Sequence, residues 1–403
     1  MTIFSARWVL PIAQPPIPNG WVAIEDGRIT AVGARSAPGT AIEIDGAILP
    51  GLVNAHTHLE LSWMRGRVPP APSMPQWVES LMALRGMMGH DPQAPIGEAI
   101  REARAAGTAL VGDITNTFAA YAPLAASDMS AAVFRELLGF SVADPEALIA
   151  ATRAQAEALT PSARLRISIV PHAPYSVSPA LLRAIAGAAG DAPVSVHLGE
   201  SAEEVEFLRG GSGAWRDLLR NLGVWSDAWV TPATDPVSYI AAQGLLHERL
   251  LAVHGVQLTD TELRMLAEAG ATLVTCPRSN RWTGAGLPPV DRFYASGVRV
   301  AVGTDSLSSV EDLNLFEELR LMRGLAPSVP ARDILASATK HGADALGFGA
   351  DLGTIEPGKR AELVAVSVPA DVTDVEEYLL SGIEPGQVSW LGSPEPRAPS
   401  PGP

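Results

Sequence analysis

Sulfur crosslinks, lysine and long apolar runs are what this chain does without. Its 403 residues contain one cysteine, Cys276. That excludes an internal disulfide, fits a reducing compartment and leads to the expectation of a cytoplasmic protein. Cys276 itself, beside Pro277, reads as a small buried hydrophobe. Lysine occurs only at Lys340 and Lys359, against plentiful arginine. No apolar run reaches the roughly 18 residues of a membrane span. The opening MTIFSARWVLPIAQPP lacks a basic region followed by a clean apolar stretch, and Pro11 interrupts it, so no secretory signal is expected. Positive charge is also short. A formal net charge of −15 argues against nucleic acid and anionic membranes as partners, because a phosphate surface would be repelled. A small-molecule substrate is expected instead.

What is present is hydrophobic content of 47%, ample for a large core. Continuous apolar, β-prone runs fall at 49–56, 108–115, 130–140, 164–174, 192–200, 249–256, 271–280 and 298–306. Helix-like stretches lie between them, among them 96–107, 145–159, 178–190 and 259–270. In the last, Thr259 suits the N-cap and Gly270 the stop. Such alternation means parallel strands covered by helices, and eight units predict an α/β fold, a (β/α)8 TIM-like barrel over 49–349. A doubly wound open sheet is the alternative, but it would not gather strands one, five, six and eight around one centre. Residues 1–48 and 350–391 carry short strands with turn signals, Asp26-Gly27 among them. They predict a small β-sandwich built from both termini. The Pro/Ser-rich tail 392–403 is read as disordered. The segment 201–248 is long for a connection and holds three tryptophans. It reads as an insertion at the active site, with a surface packing patch the even alternative.

The strand ends carry the chemistry. GLVNAHTHLEL places His56 and His58 at i and i+2, on one face of a strand, so both imidazoles reach toward one point. His172, His197, His254 and Asp305 end other apolar runs, on the face where a barrel of this kind has its active site. Three neutral nitrogens from His56, His58 and His197 with the Asp305 carboxylate suit zinc or ferrous iron and leave room for a water. Glu200, three residues after His197, is placed to take a proton from that water and pass it on. Glu203 and Glu204 read as helix-start acids. His90, His247 and His341 lie in helical or loop contexts and read as structural.

The motifs PGLVNAHTH, PHAPYSVS, HLGES, VHGVQL, CPRSN and GTDS occur in this order over about residues 45–365. Together they resemble the amidohydrolase superfamily in its mononuclear deaminase branch. The resemblance implies one divalent metal, zinc with iron the alternative, held by His56, His58, His197 and Asp305. It implies Glu200 as proton shuttle, His254 as the residue orienting the water or tetrahedral centre together with Asp305, and His172 as a substrate contact. The lysine-bridged binuclear hydrolases of that superfamily are excluded, since no lysine precedes Lys340. The zinc deaminases with P-C-x-x-C need two cysteines.

Within the branch, HTHLELS, PHAPYSVSP and HLGES with the Trp/Gly-rich insertion most resemble aminodeoxyfutalosine deaminases. Those enzymes hydrolyse the 6-amino group of a menaquinone precursor and release ammonia. The run GTDSLSS departs from the Ala-Ser-Asn continuation of many relatives, so no role carries over to Ser308 or Ser309. A benzoate on that substrate would require a cation near the barrel mouth, with Arg65, Arg135, Arg278 and Arg281 the candidates. Glu60, Trp77 and Glu79 are candidates for the purine or ribose pocket, or for support of the loop after the first strand. A deaminase of adenosine, methylthioadenosine or S-adenosylhomocysteine, or a related chlorohydrolase, is the alternative reading. A non-catalytic barrel with a binding role is the distant one, and a purified protein without metal would support it. Relatives of this kind are often dimers, so oligomeric state stays open between monomer and homodimer.

Overall fold

The computed structural model describes residues 1–86 and 93–392. His90 and nearly all of the 392–403 tail therefore lie outside the described residues.

The two ends of the chain meet in one six-stranded sheet that curls on itself, Ile29 N–H donating to the Lys359 carbonyl at 2.9 Å and Gly358 N–H to the Ile29 carbonyl at 2.8 Å. It contains β1 (Thr2–Val9), β2 (Ile17–Glu25), β3 (Arg28–Ala34), β4 (Ile42–Pro50) and, from the far end of the chain, β13 (Leu363–Val366) and β14 (Val388–Trp390), in the order β14-β13-β4-β1-β2-β3. Only β1 and β4 pair in parallel. Asp26 and Gly27, at φ 49° and 73°, close the β2–β3 hairpin. Two positive φ values are the type I′ geometry that an Asp-Gly pair favours.

The run read as one strand over 49–56 is divided. Leu49 and Pro50 end β4 and pair with β13, and the chain then crosses into a second sheet at Gly51. A Cβ there would lie 2.6 Å from the Ala109 side chain, so the crossing is too close for any larger residue. Beyond it run β5 (Leu52–Thr57), β6 (Thr108–Thr115), β7 (Ser130–Leu137) and β8 (Leu165–Pro171), which form one four-stranded parallel sheet. A second consists of β9 (Val194–Leu198), β10 (Leu250–His254), β11 (Thr272–Thr275) and β12 (Arg299–Val302). The sheets join edge to edge at two seams. At one, His197 N–H donates to the His172 carbonyl at 2.9 Å; at the other, Asp305 N–H donates to the His56 carbonyl at 3.0 Å. The result is the eightfold β/α architecture expected of the chain, its strand residues almost entirely buried as strands covered by helices must be.

Glycine sets the spacing around β5. A Cβ on Gly112 of β6 would lie 2.4 Å from the Ala55 carbonyl oxygen, and one on Gly303 just after β12 would lie 2.6 Å from the His56 carbonyl oxygen. Both neighbours can therefore approach the strand that carries the histidine pair.

Helix starts follow local chemistry. Ser178 caps Pro179–Ala189, and Thr259 with Glu262 forms a capping box on Asp260–Glu268. The seventh strand is shorter than the 271–280 expected. It ends at Thr275, and Pro277 opens the helix Pro277–Thr283, since proline suits the first helical turn and cannot donate to a ladder. The segment after β9 folds into three helices, Ala202–Gly210, Ala214–Asn221 and Pro236–Ala242. No helix of the described residues is long and apolar enough to cross a membrane.

Candidate active site

The histidines meet at the C-terminal ends of the parallel strands. His56 Nε2 and His58 Nε2 lie 3.2 Å apart. Asp305 Oδ1 is 3.4 Å from His58 Nε2 and 4.0 Å from His56 Nε2. The rings of His56 and His197 are 4.9 Å apart, and those of His197 and His254 stack at 5.1 Å. Asp305 and His254 both adopt positive φ, 60° and 78°. Such strain in non-glycine residues persists only where the surroundings over-determine it, and here it aims both side chains inward.

These donors suit a divalent cation. Two Nε2 atoms face each other, and neither the buried His56 nor His58 is poised to be charged. Burial, followed by the neighbouring imidazoles, pushes His56 well below its ordinary range, and burial lowers His58 against the opposing pull of Asp305. Neutral imidazole is the form that ligates metal. His197 Nε2 and Glu200 Oε2 are buried with no hydrogen-bond partner. Ligand atoms of His56, His58 and Asp305 lie within 4.8 Å of one another, as do those of His56, His197 and His254.

A second layer of contacts fixes the first. Ser279 Oγ donates to Asp305 Oδ2 at 2.6 Å. Asn280 Nδ2 donates to His254 Nδ1 at 2.9 Å, so the neutral ring carries its proton on Nε2, which lies 2.9 Å from His197 Nδ1 and 3.4 Å from Glu200 Oε2. Burial, reinforced by Asp305 and Glu204, raises the Glu200 carboxyl to about 8. Glu204 accepts from Gly199 N–H at 2.9 Å and from Glu200 N–H at 3.0 Å, and so does more than start a helix. His172 Nδ1 contacts Ser176 Oγ at 2.6 Å, and burial lowers its pKa to about 4.

A cavity opens over this cluster, and His58, His172, His197, Glu200 and Asp305 lie in its wall. Trp77 lines it. So does Trp215 of the long insertion, stacked on Tyr175 at 3.9 Å. The other two tryptophans of that segment, Trp225 and Trp229, pack instead on Phe140 and Phe207. The insertion thus serves both readings.

The remaining sequence candidates have other surroundings. Glu60 does not line the cavity. Its carboxylate accepts from Asn116 N–H at 2.9 Å, Thr115 Oγ1 at 2.8 Å and Thr117 Oγ1 at 2.9 Å, which supports the loop after β6. Glu79 is exposed. Arg135 donates to the Glu136 carbonyl at 2.7 Å and lies over Phe118. Arg65 pairs with Glu102. Arg278 is buried between Glu318, at 2.8 Å, and Asp312, at 2.9 Å. Arg281 is exposed and borders a different surface depression. Among these four arginines none lines the cavity.

Sequence reasoning missed Arg85, Asn116 and Glu136, all of which line the cavity. Asn116 Oδ1 accepts from Arg85 Nη2 at 2.9 Å, and its Nδ2 donates to Glu136 Oε2 at 2.9 Å. Glu136 Oε1 lies 3.4 Å from His197 Nε2. Burial alone would raise the Glu136 carboxyl, but facing His172, His197 and His58 hold it well below the usual range. His197 is raised in return, against its own burial. The signal for Glu136 was available, because it is an ionisable residue at the C-terminal end of the third strand.

Comparison with known proteins gives a consistent picture. The amidohydrolase family model matches residues 47–384. A 5-methylthioadenosine/S-adenosylhomocysteine deaminase of Desulforudis audaxviator is 30% identical over 382 residues, covering 89% of this chain and 83% of that protein. An aminodeoxyfutalosine deaminase of Deinococcus radiodurans is 33% identical over 361 residues, covering 83% and 82%. The crystal structure of an adenosine deaminase from Xanthomonas campestris with bound zinc superposes with a TM-score of 0.81 at 29% identity, covering 96% of this chain and 90% of that one.

Proposed function

Because the chain belongs to the amidohydrolase family, we propose that it is a metal-dependent hydrolytic deaminase of a 6-aminopurine nucleoside. One observation carries the reading: ligand atoms of His56, His58 and Asp305 lie within 4.8 Å of one another, as do those of His56, His197 and His254, and the Glu200 carboxylate lies beside His197 and His254. His56, His58, His197 and Asp305 are the proposed metal ligands, and zinc is the proposed ion, supported by the zinc in the Xanthomonas enzyme.

A divalent cation held there supplies Lewis-acid activation of the attacking water. Glu200 accepts the water's proton as a carboxylate and delivers it to the purine ring nitrogen next to the reacting carbon. Oxygen adds to that carbon while the ring nitrogen gains its proton. His254, its Nδ1 held by Asn280, stabilises the developing oxyanion in this reading. Asp305 takes the remaining hydroxyl proton and returns it to the amino group. The C–N bond breaks, ammonia departs and the 6-oxopurine remains. His172, kept neutral by burial, contacts the substrate from the cavity wall.

The preferred substrate in this reading is 6-amino-6-deoxyfutalosine, supported by the Deinococcus relative. The methylthioadenosine/S-adenosylhomocysteine reading is supported by the Desulforudis relative. A panel of these nucleosides with adenosine, followed by ultraviolet absorbance and ammonia release, separates the two. Higher kcat/KM on S-adenosylhomocysteine or adenosine than on the futalosine compound rejects the first substrate. No turnover of any 6-aminopurine by metal-loaded protein rejects the reaction.

A further inference from the structure

Among the described residues, Arg85 is the one lysine or arginine in the wall of the cavity. The floor is histidine and carboxylate. The outer wall is apolar, with Leu61, Trp77, Leu81, Met82 and Leu138. Arg85 is the last residue of the helix Met74–Arg85, which delivers its side chain to that outer wall.

Only one nitrogen of its guanidinium is occupied. Nη2 donates to Asn116 Oδ1 at 2.9 Å and lies 3.5 Å from Glu60 Oε1. Glu60 spends its oxygens on Asn116, Thr115 and Thr117, so it serves Arg85 only weakly. Nε and Nη1 of Arg85 make no hydrogen bond among the described residues, and the side chain is 34% exposed. A guanidinium anchored at one corner, with donors to spare, fits the two oxygens of a carboxylate. A phosphate monoester, with nearly twice the charge, would find no second guanidinium or ammonium group in the wall among the described residues.

We propose that Arg85 is a specificity-determining residue that binds a carboxylate at the far end of the substrate. The inference rests on the deaminase reading for the orientation of the purine. In that reading the amino-bearing carbon sits at Glu200, and the other end of the nucleoside is assigned to the outer wall that holds Arg85. The substrate class is then a 6-aminopurine nucleoside whose 5′ substituent is an apolar or aromatic spacer ending in a carboxylate.

The test uses two ligands that differ only in that charge, a carboxyphenyl 5′-thioether of adenosine and its methyl ester. Dissociation constants are measured by calorimetry on the metal-loaded Glu200→Gln protein, with and without Arg85→Met. The acid is expected to bind about tenfold tighter than the ester, and Arg85→Met to bring the ratio close to one. Comparison within each protein cancels any general loss. A ratio near one before the substitution, a ratio untouched by it, a collapse caused instead by Arg135→Met, or failure of both ligands to bind would each overturn the assignment. Adenosine turnover by the protein with Glu200 intact reports separately on the reaction. Acid–ester discrimination without any turnover would remove the deaminase reading and leave the carboxylate subsite standing.

Discussion

Glu204 accepts the backbone N–H of Glu200 at 3.0 Å, so a carboxylate in the first turn of one helix fixes the backbone that presents the proposed proton shuttle. The same carboxylate holds Gly199 N–H, and Ser201 Oγ in turn accepts from Glu204 N–H. The turn between the fifth strand and its helix is thereby tied at three consecutive residues.

Glu204 is accordingly a positioning residue. Glu204→Ala leaves two buried N–H groups without an acceptor and is expected to lower stability by about 1–3 kcal/mol. Turnover should fall about tenfold with KM little changed, because the Glu200 carboxyl loses its fixed approach. Glu204→Gln keeps an acceptor oxygen and should recover part of both losses. Melting temperatures and steady-state kinetics on the two variants check this; an unaltered kcat in Glu204→Ala would remove the positioning role.

Ligand and shuttle residues should separate cleanly. His197→Ala and Asp305→Ala are expected to lose bound metal, measured by elemental analysis of purified protein. Glu200→Gln should retain metal while turnover drops about 10²–10⁴-fold, the usual worth of a positioned acid–base group. Chelation of the wild-type chain should abolish turnover and lower the melting temperature, because an ion bound only by the folded state stabilises it. Full activity in Glu200→Gln would refute the shuttle.

Gly303 tests the seam. Its substitution by alanine places a Cβ at 2.6 Å from the His56 carbonyl oxygen and 2.8 Å from the His56 Cβ. Backbone must move to relieve such contacts, at a cost of about 1–3 kcal/mol. The displaced residue is a proposed ligand, so Gly303→Ala should weaken zinc affinity as well as stability. Unchanged zinc affinity, measured by competition with a chromophoric chelator, would show that the seam tolerates the shift.

Much of this site was legible along the chain. Strand ends could be read because a buried parallel strand is a short apolar run, and the first polar residue after it stands where the run stops. His56, His172, His197, His254 and Asp305 all announced themselves in this way, and Glu136 would have by the same rule. Element boundaries were less visible. The run from Leu49 to His56 is equally apolar in both sheets, and nothing local marks Gly51 as the crossing. The CPRSN motif reads as strand until Pro277 is given its weight as a helix opener.

The sequence by itself determined the chemistry, a set of imidazoles and carboxylates at the ends of parallel strands, because strand periodicity and strand termination are local properties of the chain. Tertiary structure alone decided which cation faces the cavity. Arg85 sits on an unremarkable helix turn, while Arg278, adjacent to a strong motif, is spent on Glu318 and Asp312. A long side chain reaches whatever packs beside it, and that neighbour is set by contacts between residues far apart in the chain.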